Sequence, residues 1–318
     1  MRHRPANRST GIHKGCFQMD IALKAAAGFT IAASLFAGTF AATFVHNSLA
    51  GDRALKLRFH CSNCGHRLAG ADLIPLYSWI VNSGACRYCR ARIPLLYPCV
   101  ESAFLANAIL VSLFALPQCI LPAMLLGWTL IVLSTFDIIA FVLPDLLTYA
   151  LALGGLGVVA SGGTSAALES AEGFLAGGAS LLLIKSVYRL VAKRDGLGLG
   201  DVKLFAAAGA WVGCEGLPQV LLMASMLGLG FAPLCSSGPK SSFLIRKIPL
   251  GAALCAALWM TWMWEHLSAR SGVLLTAHGR CVPFAINPGW ALFRPPPVAA
   301  LGQSRRFEIR ERLRQPKS

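Results

Sequence analysis

The chain has 318 residues, 55% of them hydrophobic and only 14% charged, with a mean hydropathy of +0.60. Soluble domains average roughly 25% charged residues, so the composition excludes a soluble globular protein and points to an integral membrane protein. A formal charge of +15 would suggest nucleic acid in a soluble chain. Here the basic residues fall in short loops and at both ends, where topology and anionic membrane lipid account for them, and no nucleic-acid partner is expected.

Residues 1–20 are a polar basic arm with Arg2, Arg4, Arg8 and Lys14 and no apolar core, expected to be disordered. Met19 directly precedes the first apolar run and is an alternative start of translation. Residues 21–46 form that run, and about 20 residues at 1.5 Å each cover a ~30 Å hydrocarbon core. The run is too long for a cleaved signal peptide and no small-x-small site closes it. Its small residues, Gly28, Ala32, Ala33 and Gly38 among them, let helices approach closely in lipid.

Residues 47–98 carry Arg53, Lys56, Arg58, Arg67, Arg87, Arg90 and Arg92 against Asp52 and Asp72, a bias that places this loop in the cytoplasm. It contains two CxxC pairs, Cys61/Cys64 and Cys86/Cys89, separated by 21 residues (86 − 64 − 1). Two such pairs can close a tetrahedron of thiolates around Zn²⁺, and a closed four-thiolate site leaves no position for substrate, so the metal should be structural. The remaining cysteines are scattered singly through apolar segments, as expected of buried thiols in a reducing compartment.

Residues 99–264 read as further spans at about 99–119, 120–137, 144–161, 172–192, 202–214, 217–235 and 247–264, which with the first give a bundle of about eight transmembrane helices. The turn near Pro117 is uncharged and that at 161–173 holds only Glu169 and Glu172, whereas Lys193 and Arg194 mark the next turn and Lys240, Arg246 and Lys247 the one after. This alternation puts Asp137, Asp145 and Asp201 on the same side as the cysteine loop. Residues 265–318 form a basic tail containing Pro295-Pro296-Pro297.

Acids are scarce, 14 Asp and Glu in all, and a carboxylate at the mouth of a membrane-length apolar run is a functional candidate by default. Asp137 ends the run Ile131–Phe136 with no cation beside it, and Asp201 closes the glycine run Gly196-Leu197-Gly198-Leu199-Gly200, ahead of Val202-Lys203. Two acids so placed suggest a paired-carboxylate site. Gly198 and Gly200 would let the backbone approach a bound peptide and set the acid's direction. The run lacks the GK[ST] ending of a phosphate loop. Pro144 and Asp145 suit the first turn of a helix; with Gly198, Gly200 and Lys203 they are assigned positioning or structural roles.

These motifs, in this order over roughly residues 25–255, resemble the bacterial prepilin peptidases of type IV pilus and type II secretion systems. The likeness includes Ile74-Pro75-Leu76-Tyr77-Ser78-Trp79, Tyr97-Pro98-Cys99-Val100-Glu101, the Asp137…Leu143-Pro144-Asp145 block and Gly198-Leu199-Gly200-Asp201-Val202-Lys203. It implies a membrane aspartic protease with Asp137 and Asp201 as catalytic acids, facing the cytoplasm from the bacterial inner membrane. Its substrates would be prepilins or pseudopilins, whose short basic leader stays in the cytoplasm ahead of an apolar helix and is removed after a glycine. Many members also methylate the new amino terminus with S-adenosylmethionine, an activity associated with the N-terminal region. Where the family has Gly-Ser-Phe-x-Asn-Val, this chain has Gly38-Thr39-Phe40-Ala41-Ala42-Thr43, so methyl transfer is expected to be weak or absent; separately, Ile248-Pro249-Leu250-Gly251-Ala252 departs from a late Ile-Pro-Phe-Gly-Pro pattern. Two other classes compete: a non-catalytic membrane zinc-loop assembly factor, and a proton-coupled transporter. A proton relay favours acids at mid-span, and these sit at span ends.

Overall fold

The computed structural model describes residues 9–49, 61, 63–66, 76–115, 119–193, 196–231 and 249–271. Contacts divide the chain into Met1–Pro283 and Phe284–Ser318, and every described residue belongs to the first unit. The tail beyond residue 271 and the basic turn at 236–247 lie outside the described residues.

Those residues are helical: α1 Ser9–Leu49, α2 Tyr77–Val81, α3 Leu96–Phe114, α4 Ile120–Ala140, α5 Asp145–Ala160, α6 Thr164–Ala192, α7 Leu199–Phe231 and α8 Leu250–Ser271. Five segments, Gly28–Leu49, Leu96–Phe114, Ile120–Ala140, Thr164–Ala192 and Leu199–Gly230, are long and apolar enough to cross a bilayer, and α5 is a shorter apolar helix. The chain is a multi-pass membrane protein.

Three expected boundaries move. The first helix begins at Ser9 rather than after an unstructured arm of 20 residues. The turn expected at 161–173 is tighter: Gly163, at φ 114°, reverses the chain and α6 starts at Thr164, so Glu169 and Glu172 are helical. Asp137 lies inside the last turn of α4, which runs on to Ala140 and ends with Phe141 in the left-handed region at φ 54°.

The expected spans 202–214 and 217–235 are the two halves of α7. A straight helix of its 33 residues would be about 50 Å long, well beyond a ~30 Å hydrocarbon core. It breaks at Gly213, whose φ of 67° and ψ of −175° are not helical and which only glycine adopts freely. The break is a reversal. A Cβ on Gly177 of α6 would lie 2.6 Å from the Phe205 carbonyl oxygen and 3.3 Å from Leu217 Cδ2, yet these residues are twelve apart (217 − 205), about 18 Å along a straight helix. Against α8 the two halves run in opposite senses: Trp211 packs on Trp262, with ring centroids 6.2 Å apart. After the break, Gly216 faces Glu265 and Met223 Sδ lies 3.7 Å from Thr261 Oγ1.

α7 packs against α5, α6 and α8 and supplies much of the buried core through Leu204, Phe205, Ala207, Ala208, Trp211 and Val220. Lipid offers helices no hydrophobic drive to associate, so small residues and polar bonds hold them. Gly173 lies against the backbone of Gly209 and Gly213, Ser170 Oγ donates to the Ala210 carbonyl at 2.7 Å, and Trp211 Nε1 donates to the Leu151 carbonyl of α5 at 2.9 Å. A second cluster joins α1, α3 and α4 through Ala42, Val45, Phe104 and Phe136.

Candidate active site

Asp137 is 5% exposed. The carboxylate is received by the start of α8, where the Ala252 N–H donates to Asp137 Oδ2 at 2.8 Å and the Gly251 N–H also bonds to the same side chain. The first amides of a helix have no intrahelical acceptor, so an acid from α4 fills a place that α8 leaves open. The approach requires glycine: a Cβ on Gly251 would lie 3.0 Å from both Cγ and Oδ2 of Asp137.

Asp201 sits in the first turn of α7. The Gly198 N–H bonds to its carboxylate, and a Cβ on Gly198 would lie 3.2 Å from Oδ2. Gly200 serves packing, since a Cβ there would be 3.2 Å from Leu143 Cβ; the same Leu143 comes within 3.1 Å of a Cβ on Gly251. Leu143 thus wedges the starts of α7 and α8 together beside the two acids. The carboxylates of Asp137 and Asp201 lie near enough to feel each other's charge, and both reach Cys255. The charge of Lys185 acts on Asp201.

Asp145 and Lys203 are placed elsewhere. Asp145 opens α5 behind Pro144, whose φ of −62° suits the entry, and it is exposed. Lys203 Nζ reaches Asp145 Oδ1 at 2.7 Å and lies 5.4 Å from the centre of the Tyr149 ring. This pair bridges the starts of α5 and α7 without touching Asp137.

The four cysteines converge, their sulfurs all lying within 4.8 Å of one another. A Zn–S bond of about 2.3 Å sets tetrahedral S···S edges near 3.8 Å, and Cys61 Sγ and Cys89 Sγ are 3.7 Å apart. The two knuckles repeat one fold. Gly65 N–H donates to the Cys61 carbonyl at 2.9 Å and Arg90 N–H to the Cys86 carbonyl at 3.0 Å, and both fourth residues have positive φ, 67° and 59°. Amides of Cys64 and then Asn63 hold the Cys61 thiol below its usual range; the Ala91 amide and then the Asn63 side chain bring Cys89 down to about 6. The donor set therefore fits a thiolate-bound metal.

Glu101 was not among the candidate site residues. It is buried in α3 at 6% exposure, accepting Thr39 Oγ1 of α1 at 2.9 Å and the Leu76 N–H beside α2 at 2.8 Å. It ties the cysteine loop, α1 and α3 together. The signal was the one used for Asp137, an acid inside an apolar run. Thr39 retains the hydroxyl of the family's serine, whereas Ala42 is wholly buried among Phe104, Phe136 and Val45 and offers no polar group.

The fold and site define a helical membrane protein with two acids close enough to feel each other's charge and an anchored four-cysteine loop. The profile of the Bacterial Peptidase A24 N-terminal domain matches residues 32–115, and that of the Type IV leader peptidase family matches residues 124–232. The prepilin leader peptidase/N-methyltransferase of Aeromonas hydrophila is 36% identical over 208 residues, 64% of this chain and 70% of that protein. The proteins of the same name from Burkholderia pseudomallei and Stutzerimonas stutzeri are 40% and 34% identical over 203 and 208 residues, covering 63% and 64% of this chain and 64% and 71% of theirs. No solved structure matches. The chain belongs to the type IV leader peptidase family, and it is a peptidase.

Proposed function

We propose that this chain is an aspartic endopeptidase that removes the basic leader from type IV prepilins and type II secretion pseudopilins. What supports the reading is that Asp137 and Asp201, from helices far apart in sequence, lie near enough to feel each other's charge, and that each carboxylate is bonded by at least one backbone amide. One carboxylate, ionised, takes a proton from water as it attacks the scissile carbonyl; the other, protonated, polarises that carbonyl and supports the leaving amine. Two acids this close titrate as a coupled pair. Gly198 keeps the backbone close to Asp201, Gly200 lets Leu143 pack beside it, and Lys203 with Asp145 braces the frame.

With eight spans, counting α7 as two, the pair would lie at the cytoplasmic face of the bacterial inner membrane, on the side of the basic loop, a reading supported by the charge bias of the loops. The first span is then the apolar part of α1, Gly28–Leu49, with the rest of 47–98 the metal loop, 99–264 the peptidase bundle and 265–318 the tail. Zinc held by Cys61, Cys64, Cys86 and Cys89 would supply structure only, because the thiolates complete its coordination. S-adenosylmethionine would serve only a residual methyl transfer, since Ala42 brings no polar group to the region associated with it. Anionic lipid would neutralise the basic loop.

Asparagine nearly matches aspartate in shape and cannot exchange the proton. Asp137→Asn and Asp201→Asn should each cut cleavage of a prepilin in membranes by about 10²–10⁴, and the double variant should be little worse, with metal content unchanged. Asp145→Asn should keep cleavage near the parent level. Activity lost in Asp145→Asn and kept in Asp137→Asn would reassign the pair.

A further inference from the structure

An apolar groove of about 720 Å³ runs over α4 between α3 and α8, floored by Ile131 and Ser134 and walled by Leu110 and Met260. At ~420 Å³ per turn for a cylinder 10 Å across with a 5.4 Å pitch, this is about two turns of helix. The groove leads to the carboxylates: Cys255 lines it and feels the charge of both Asp137 and Asp201, and Ile138 and Ile139 follow Asp137 directly.

Two polar atoms without partners lie in the same lining. Asn107 is 5% exposed and its Oδ1 accepts no hydrogen bond, and the Trp259 Nε1–H is buried and donates none. Buried polar atoms left unpaired cost stability, and in a membrane no water offsets the loss. They sit well below the acids. Asn107 faces Gly127, ten residues before Asp137 (137 − 127), and Trp259 is seven beyond Ala252 (259 − 252), or about 10–15 Å along the helices.

We propose that this groove is the docking site for the apolar helix that follows the leader in a prepilin, with Asn107 and Trp259 pairing a polar group on that helix. The proposal rests on the carboxylate reading above, because it is the acids that set where the helix begins. A helix lying along the groove with its scissile bond at the acids brings residues about seven to ten past the cut opposite Asn107 and Trp259, at 1.5 Å per residue.

The test uses the full chain in phosphatidylethanolamine–phosphatidylglycerol vesicles with an intact type IV prepilin. Ala106→Trp and Ala256→Trp fill the groove from its two walls, at exposed positions that make no bond to the acids. Each should raise KM about tenfold or more while leaving kcat near the parent value, the pattern of lost ground-state binding. Trp259→Phe, which removes the donor and trims the ring without filling the groove, should raise KM by a smaller factor. A photoreactive residue at Ala256, four beyond Ala252 (256 − 252), should crosslink to the prepilin about four residues beyond the cut. Unchanged KM in both tryptophan variants, a fall in kcat alone, or crosslinks to lipid only would each overturn the proposal. Should Asp137→Asn and Asp201→Asn cleave normally, the carboxylate reading falls, while the KM shifts and crosslinks still report whether the groove binds the helix.

Discussion

Gly251→Ala is the smallest change that tests how Asp137 is held. The added Cβ would lie 3.0 Å from Cγ and Oδ2 of Asp137, with Leu143 Cδ1 at 3.1 Å, roughly 0.5 Å inside an ordinary contact of about 3.5 Å. Leu143 also bears on Gly200, so neither neighbour can retreat freely and the carboxylate has to move. A shift of that size stretches the 2.8 Å bond from the Ala252 N–H to about 3.3 Å, past the usual limit for an N–H···O bond. A hydrogen bond to a charged group is worth about 1.5–3 kcal/mol. At 1.36 kcal/mol per factor of ten, kcat on a prepilin should fall about 10- to 150-fold. Gly28→Ala is the control, because a Cβ there meets nothing within 4 Å. The assay is cleavage in membranes, followed on a gel, with metal content measured in parallel to show that the fold survives. Parent-level kcat in Gly251→Ala would refute the claim that amides at the start of α8 orient the acid.

Purified protein should hold about one zinc per chain by elemental analysis, and Cys86→Ser should lose it and leave the loop open to protease, because folding and metal binding are linked; an ordered, metal-free loop would contradict this. Mass spectrometry of a cleaved pilin should find an amino terminus with little or no methyl group, as Ala42 stands where the family has asparagine, and full methylation would show that no polar group is needed there. Glu101→Leu should expose the loop to protease without removing the four cysteines' metal, since the Leu76 N–H would lose its side-chain acceptor; unchanged protease sensitivity would mean that Glu101 does not anchor the loop.

Much of the site could be read from the chain because its chemistry is local. Cys61, Cys64, Cys86 and Cys89 announce a metal by spacing alone, and Asp137 and Asp201 stand out because acids are rare in apolar runs. The holders of those acids were not legible. Gly251 and Ala252 lie more than a hundred residues from Asp137 (252 − 137 = 115), and nothing in Pro249-Leu250-Gly251 says that its amides receive a distant carboxylate. Glu101 gave the right signal and was passed over within a family motif. The reversal at Gly213 was bracketed by the expected spans, since Cys214-Glu215-Gly216 interrupts the apolar pattern. Gly163 was harder, because apolarity resumes only well after the helix has begun.

The loop and the carboxylate pair are mechanically connected, although a closed thiolate site does no chemistry on substrate. Leu76, next to the loop's short helix, is fastened to Glu101, and Glu101 is fastened to Thr39 of α1. One turn along α3, Phe104 packs against Gly38 and stacks on Trp128 of α4 with ring centroids 5.9 Å apart. The Trp128 Nε1–H in turn donates to Ser34 Oγ of α1 at 3.2 Å, so α4 is held from two neighbouring helices. Asp137 is carried by α4 and must reach the first amides of α8 to within a few tenths of an ångström. A loop that lost its metal would release one end of this chain of contacts at Leu76, and the error would arrive at Asp137 as a shift of α4 rather than as a missing group. Metal removal should therefore slow cleavage in a graded way and spare the residual binding of substrate, the signature of a positioning role.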